Sequence, residues 1–132
     1  MPTNSQVVLA LYDAFAKGDV ETVLDALDPT TEWNEAEGSP YAAGNPYVGP
    51  EAIAKGVFER IGREFDQFHF AVARCVDGGD IVVTEGRYHG ICKASGKTLD
   101  ASFAHVWQLR GSLIVRFQQY TDTKQWWDVA KR

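Results

Sequence analysis

An α+β fold follows from two features of the sequence. Apolar residues recur at helical spacing before about residue 65, and apolar, β-branched and aromatic runs broken by Gly, Asp and Ser turns follow it. Val7, Val8, Leu11, Ala14 and Phe15 share one helical face behind the capping candidates Asn4 and Ser5. Gly18 stands where a helix stops, which predicts a helix over about residues 5–17. Asp19 caps a second helix carrying Val20, Val23, Leu24 and Leu27, and Asp28-Pro29 ends it because a proline disfavours helix in the residue before it. Residues 31–35 read as a brief strand. Residues 36–49, with Pro40, Pro46 and three glycines, read as a long loop of the kind that often carries function. Pro50 suits the first turn of a third helix that aligns Ile53, Val57, Phe58 and Ile61, with Gly56 and Gly62 weakening it. Residues 68–76, 81–92, 99–109 and 113–120 then form a four-stranded antiparallel meander.

The 132 residues suit one domain over 1–132, and 45% hydrophobic content supplies a core for it. Thirteen Lys and Arg against eighteen Asp and Glu leave a charge of −5, which excludes a broadly electropositive footprint and with it nucleic acid as a partner. No basic leader precedes an apolar run, and no stretch approaches the ~18 apolar residues of a membrane span, so no membrane partner and a cytoplasmic location are expected. Cys75 and Cys92 lie in strand-like runs without a C-x-x-C pairing and read as buried free thiols.

Leu99, Ala101, Phe103, His105, Trp107 and Leu109 fall on one face of their strand, so a single ionisable ring interrupts an apolar surface. A two-residue loop at Ser95-Gly96 would set Gly86 opposite His105 and Tyr88 opposite Phe103, with open space beside the imidazole. Ile81, Val83 and Ile91 on one strand, and Ile114 and Tyr120 on another, give the sheet a second apolar face that three helices cannot also cover. A homodimer is the expected cover.

Three strings, Leu11-Tyr12-Asp13-Ala14-Phe15-Ala16-Lys17-Gly18-Asp19, then Pro40-Tyr41-Ala42 through Tyr47-Val48-Gly49-Pro50-Glu51-Ala52-Ile53, and Val115-Arg116-Phe117-Gln118-Gln119-Tyr120-Thr121-Asp122, together resemble the nuclear transport factor 2-like superfamily. That superfamily includes SnoaL-like polyketide cyclases, ketosteroid isomerases and limonene epoxide hydrolases. The resemblance spans nearly the whole chain and implies a cone-shaped curved antiparallel sheet wrapped around three N-terminal helices, a cystatin-like α+β barrel, with a ligand pocket in its mouth and usually a dimer. It places Glu35 where ketosteroid isomerases hold their carboxylate base and His105 where they hold a protonated aspartic acid. Their tyrosine donor aligns with Leu11, one position from Tyr12. SnoaL-like cyclases use a histidine and an aspartate, which His105 and Gln119 occupy here. Of the Asp-Arg-Asp set of limonene epoxide hydrolases only Asp122 has a counterpart.

The expectation is therefore an enzyme without a cofactor, using general acid-base chemistry in an isomerisation, cyclisation or hydration of a small, apolar, carbonyl-containing molecule. An alternative is a non-catalytic cone that binds a small hydrophobic ligand, or a dimeric interaction module. His105 is the proton donor or acceptor, since imidazole titrates near ~6.5. Gln119 is a carbonyl donor, and Glu35 or Asp122 the second acid-base group, with a structural capping role open to Asp122. Trp33, Tyr88, Phe103, Trp107, Phe117 and Trp126 form the walls. No metal is expected, because His69, His89 and His105 lack any ligand spacing, and no nucleotide, because Gly78-Gly79 lies between strands. A Ser102-His105-Asp100 triad fails because Ser102 and Asp100 point away from His105.

Overall fold

In the computed structural model, which describes residues 2–131, the chain runs α1 (Asn4–Ala16), α2 (Val20–Asp25), β1 (Leu27–Asn34), a 3₁₀ turn (Ala42–Gly44), β2 (Tyr47–Val48) and α3 (Pro50–Ile53). A π-helical turn (Ala54–Phe58) continues α3 into α4 (Glu59–Glu64). Then come β3 (Phe65–Asp77), β4 (Ile81–Cys92), β5 (Thr98–Arg110), β6 (Leu113–Thr121) and α5 (Thr123–Ala130). Thr3, not Asn4 or Ser5, caps α1, in a reciprocal box with Gln6. Asp19 caps α2 as expected, but that helix ends at Asp25, and Leu27 begins β1 instead of ending the helix.

The strands form one curved, unclosed sheet in the order β2-β1-β6-β5-β4-β3. The meander β3 to β6 is antiparallel as the turn signals predict, whereas β1 joins β6 in parallel, so the sheet is mixed. The helices cover the concave face with Val8, Leu11 and Tyr12 of α1, Ile53 of α3 and Val57 of the π turn, all buried. Beyond the three expected helices, α5 folds back and buries Trp126 against Tyr41, Phe65 and Tyr88. Gly56, a weak point by helix propensity, has a packing reason: the Tyr47 ring lies where its Cβ would be.

Two register expectations are corrected. The β4–β5 loop runs over residues 93–97, with the Cys92 amide donating to the Lys97 carbonyl at 2.9 Å, so Thr84 faces His105 and Gly86 faces Phe103. A shift of two leaves every side chain on its expected face. Gly86 opens no space: a Cβ there would overlap the Ala71 carbonyl oxygen and come within 2.9 Å of Val72 Cα, because β3 slips register beside it and crosses close. In β6 a bulge between the Gln108–Arg116 and Leu109–Ile114 pairs turns Ile114 inward, where it is fully buried, and leaves Tyr120 outside.

Candidate functional site

The inner face of β5 presents His105 between Phe103 and Trp107, all buried. Phe103 stacks on the imidazole with ring centroids 4.0 Å apart and planes at 14°, so it supports the ring from behind and is not a wall of the cavity. Both ring nitrogens are engaged: Nδ1 lies 2.5 Å from the Tyr12 hydroxyl of α1, and Nε2 contacts the Tyr88 hydroxyl of β4. Tyr12 also meets Thr84 Oγ1 at 2.6 Å, Trp107 Nε1–H donates to the same Thr84 oxygen at 3.1 Å, and Gln119 Nε2–H donates to Tyr88 at 2.8 Å. Burial holds the His105 pKa well below 6.5 and the hydroxyls of Tyr12 and Tyr88 above their ordinary range. At neutral pH the cluster is uncharged, so His105 is not a cationic acid.

The second polar group enters from β1, whose inward Trp33 is followed two residues later by Glu35. Asn45 of the long loop clamps the Glu35 backbone, accepting its N–H at 2.9 Å and donating to its carbonyl at 2.8 Å. The carboxyl accepts from Trp33 Nε1–H at 3.1 Å. Burial raises its pKa to about 7, with the Trp33 bond and the more distant Arg60 charge pulling the other way. Gln119 ties the two groups together, because its Oε1 accepts from the Ala36 amide at 3.0 Å while its nitrogen serves Tyr88.

Glu35, Tyr12, Tyr88, His105 and Gln119 open on one cavity of about 240 Å³. Its walls include Trp33, Trp107, Phe117 and Trp126 of the expected set, together with Phe58 and Phe70. A carboxyl close to half-ionised at neutral pH, in an aromatic chamber with neutral hydrogen-bonding groups, can take a proton from a weakly acidic C–H or O–H and return it. Among the described residues no three His, Cys, Asp or Glu side chains cluster as metal ligands would.

The sequence profile described as a SnoaL-like domain matches residues 8–117. The chain belongs to the SnoaL-like family. Across its full length it is 33% identical to an NTF2-like protein from Burkholderia thailandensis E264, with all of both chains covered and a TM-score of 0.94. An NTF2-like protein of unknown function from Burkholderia pseudomallei K96243 is 25% identical, with full coverage of both chains and a TM-score of 0.90. TerC, co-crystallised with polyporic acid, is 25% identical over 96% of each chain, with a TM-score of 0.84. No protein of curated function matches. The wider SnoaL-like and NTF2-like fold family includes cyclases and isomerases.

Of the site residues expected in this SnoaL-like chain, the structure gathers His105, Glu35, Gln119, Trp33, Tyr88, Trp107, Phe117 and Trp126 around the cavity. Asp122 is not among them: it is exposed at the start of α5, and among the described residues its carboxylate has a hydrogen-bond contact only with Gln125 Nε2, at 3.4 Å. Sequence reasoning missed Tyr12 and Thr84. Val8, Tyr12 and Phe15 recur at i, i+4 and i+7, so helical periodicity points Tyr12 inward where alignment selected Leu11. Thr84 lies on the inward parity of β4 with Val82 and Tyr88.

No helix of the described residues is long and apolar enough to cross a membrane.

Proposed function

We propose that this SnoaL-like protein catalyses proton transfer on a small, apolar, carbonyl-containing molecule, with Glu35 as the general base and no cofactor taking part. The observation that carries this is a buried carboxyl with a pKa near 7, opening on an aromatic cavity. An ionised Glu35 removes a proton α to the carbonyl, the step that isomerisations and aldol-type cyclisations share; in the first the proton returns to carbon, and in the second the enolate carbon bonds to a second carbonyl carbon whose oxygen takes up the proton. His105 orients the tyrosine hydroxyls and carries no charge. A dry apolar cavity of about 150 Å³ takes up benzene. A cavity of about 240 Å³ therefore suits one or two small rings, well short of a long polycyclic substrate. The co-crystallisation of TerC with polyporic acid supports a small organic compound as occupant.

A suitable probe is 2-indanone in D₂O, with deuterium uptake at the α carbons followed by NMR. Wild type is expected to accelerate exchange, with kcat/KM rising with pH through about 7 as Glu35 loses its proton. Glu35→Gln is expected to lose at least ~100-fold. A ligand that binds and is returned without exchange would replace this reading with that of a binding module.

We also propose a homodimer across the outer face, where paired Val76, Val83 and Val106 lie beside Ala104 and the exposed Tyr120. Light scattering is expected to give twice the 14.6 kDa chain mass, and the single-chain mass would remove the dimer.

A further inference from the structure

Thr84, Tyr12, His105 and Tyr88 form a line of three contacts: Thr84 to Tyr12, Tyr12 to Nδ1, and Nε2 to Tyr88. Each contact uses one hydrogen. The three hydroxyls and the neutral imidazole bring four, so one is left over. The line cannot shed it at its ends, because both ends are fed by groups that only donate there. Trp107 Nε1–H fills Thr84 from one side. Gln119 fills Tyr88 from the other, and its orientation is fixed because its oxygen must accept the Ala36 amide, leaving Nε2–H for Tyr88.

The surplus hydrogen has three homes. On Thr84, which is fully buried, it would be an unsatisfied donor. On Tyr12 it would leave an oxygen already ringed by the Thr84 and imidazole contacts, with the Trp107 N–H close by. Both of these require the hydrogen of His105 to sit on Nδ1. With the hydrogen on Nε2, every member of the line has a partner. Thr84 O–H then donates to Tyr12, Tyr12 O–H to Nδ1 and Nε2–H to Tyr88, while the Tyr88 hydroxyl keeps its own hydrogen and lines the cavity.

We propose that His105 is held as the Nε2–H tautomer and that the Tyr88 hydroxyl is thereby the hydrogen-bond donor aimed into the cavity, which selects ligands presenting a carbonyl or enolate oxygen there. His105 is the positioning residue in this arrangement and Tyr88 the contact with the ligand. The tautomer stands on the hydrogen count alone. The ligand class rests on the proton-transfer reading of the cavity, where an oxygen held by Tyr88 is the one that gains charge as Glu35 takes the α proton.

Long-range ¹H–¹⁵N correlation spectra of the wild-type protein report the tautomer without any substitution. The expected pattern is a protonated Nε2 and a bare Nδ1. Protonated Nδ1 would overturn the proposal and place the surplus hydrogen on Tyr12 or Thr84. The donor is tested by binding 2-indanone and indane, the same rings without the oxygen, followed by quenching of the cavity tryptophans. The preference for the ketone is expected to fall about fivefold in Tyr88→Phe, the scale of one neutral hydrogen bond. An unchanged preference, or none in the wild type, would overturn the assignment of Tyr88. Should Tyr88→Phe not fold, the wild-type tautomer and the wild-type ketone preference still decide. If the tautomer and preference hold while α exchange is absent, the donor stands and the catalytic reading of Glu35 falls.

Discussion

A carboxyl and an imidazole, both buried, line the cavity, and burial drives both toward the neutral form: the Glu35 pKa rises to about 7 and that of His105 falls well below 6.5. They differ in how many partners they have. His105 has a tyrosine hydroxyl on each nitrogen and an aromatic ring stacked on its face, so it is held as part of the scaffold. The Glu35 carboxyl has one side-chain donor, Trp33, and opens on the cavity. A buried group with every site matched stabilises the fold, whereas one left partly unmatched costs stability and is available for chemistry. Substitutions at these two residues are therefore expected to move stability in opposite directions.

The largest effect is expected at His105. His105→Ala removes a stacked ring and a link between three elements, and should cost roughly 3–5 kcal/mol, read from urea unfolding at pH 8. A loss below about 1 kcal/mol would mean the hydroxyl cluster holds without its centre. Glu35→Gln should instead stabilise the protein at pH 9, by on the order of 3 kcal/mol, because the buried carboxylate is no longer forced to ionise. The sign follows from linkage. Between pH 4.5 and about 7 the folded state binds the Glu35 proton and the unfolded chain does not, so the penalty grows as pH rises through that window and vanishes below it. His105 acts the other way: as pH falls below 6.5 the unfolded chain takes up a proton that the folded state refuses, and stability is lost. Subtracting the Glu35→Gln curve from wild type isolates the carboxyl's share. A difference flat from pH 5 to 9 would show an unperturbed, solvated Glu35.

A smaller effect is expected where β3 crosses close to β4. Gly86→Ala forces a methyl group against the Ala71 carbonyl and Val72 Cα, backbone atoms of a neighbouring strand, and should cost roughly 1–3 kcal/mol. A neutral result would mean that β3 moves off β4 easily.

Much of this was legible in the sequence because it depends on local periodicity. The six inward residues of β5 and the α+β order of elements follow from periods of 2 and 3.6, and a register slip of two left that reading intact. Features made by one residue of extra backbone were not legible. The bulge that turns Ile114 inward and the β3 slip beside Gly86 change faces and distances without any signal in residue type. The burial of Glu35 follows partly from the parity of Trp33, but the Asn45 clamp joins residues across a loop whose path no pattern predicts. The inward placement of His105 was legible and its hydrogen bonding was not, since composition cannot show that both nitrogens are taken.

Asp122 supplies the smallest expected effect and the sharpest control on which carboxylate acts. It is exposed, it precedes α5, and its side chain makes no capping bond to the backbone of that helix. The helix is held instead by buried Trp126 and Val129, by Ser95 donating to the Val129 carbonyl at 2.5 Å, and by the exposed Lys124–Asp128 pair. Asp122→Asn should therefore change stability by less than about 0.5 kcal/mol and leave 2-indanone exchange as in wild type. A tenfold fall in exchange at unchanged stability would mean that the start of α5 swings over the cavity during turnover and brings a second carboxylate to the ligand. Glu35 would then be one of a pair, and its pH profile would show two ionisations where one is expected.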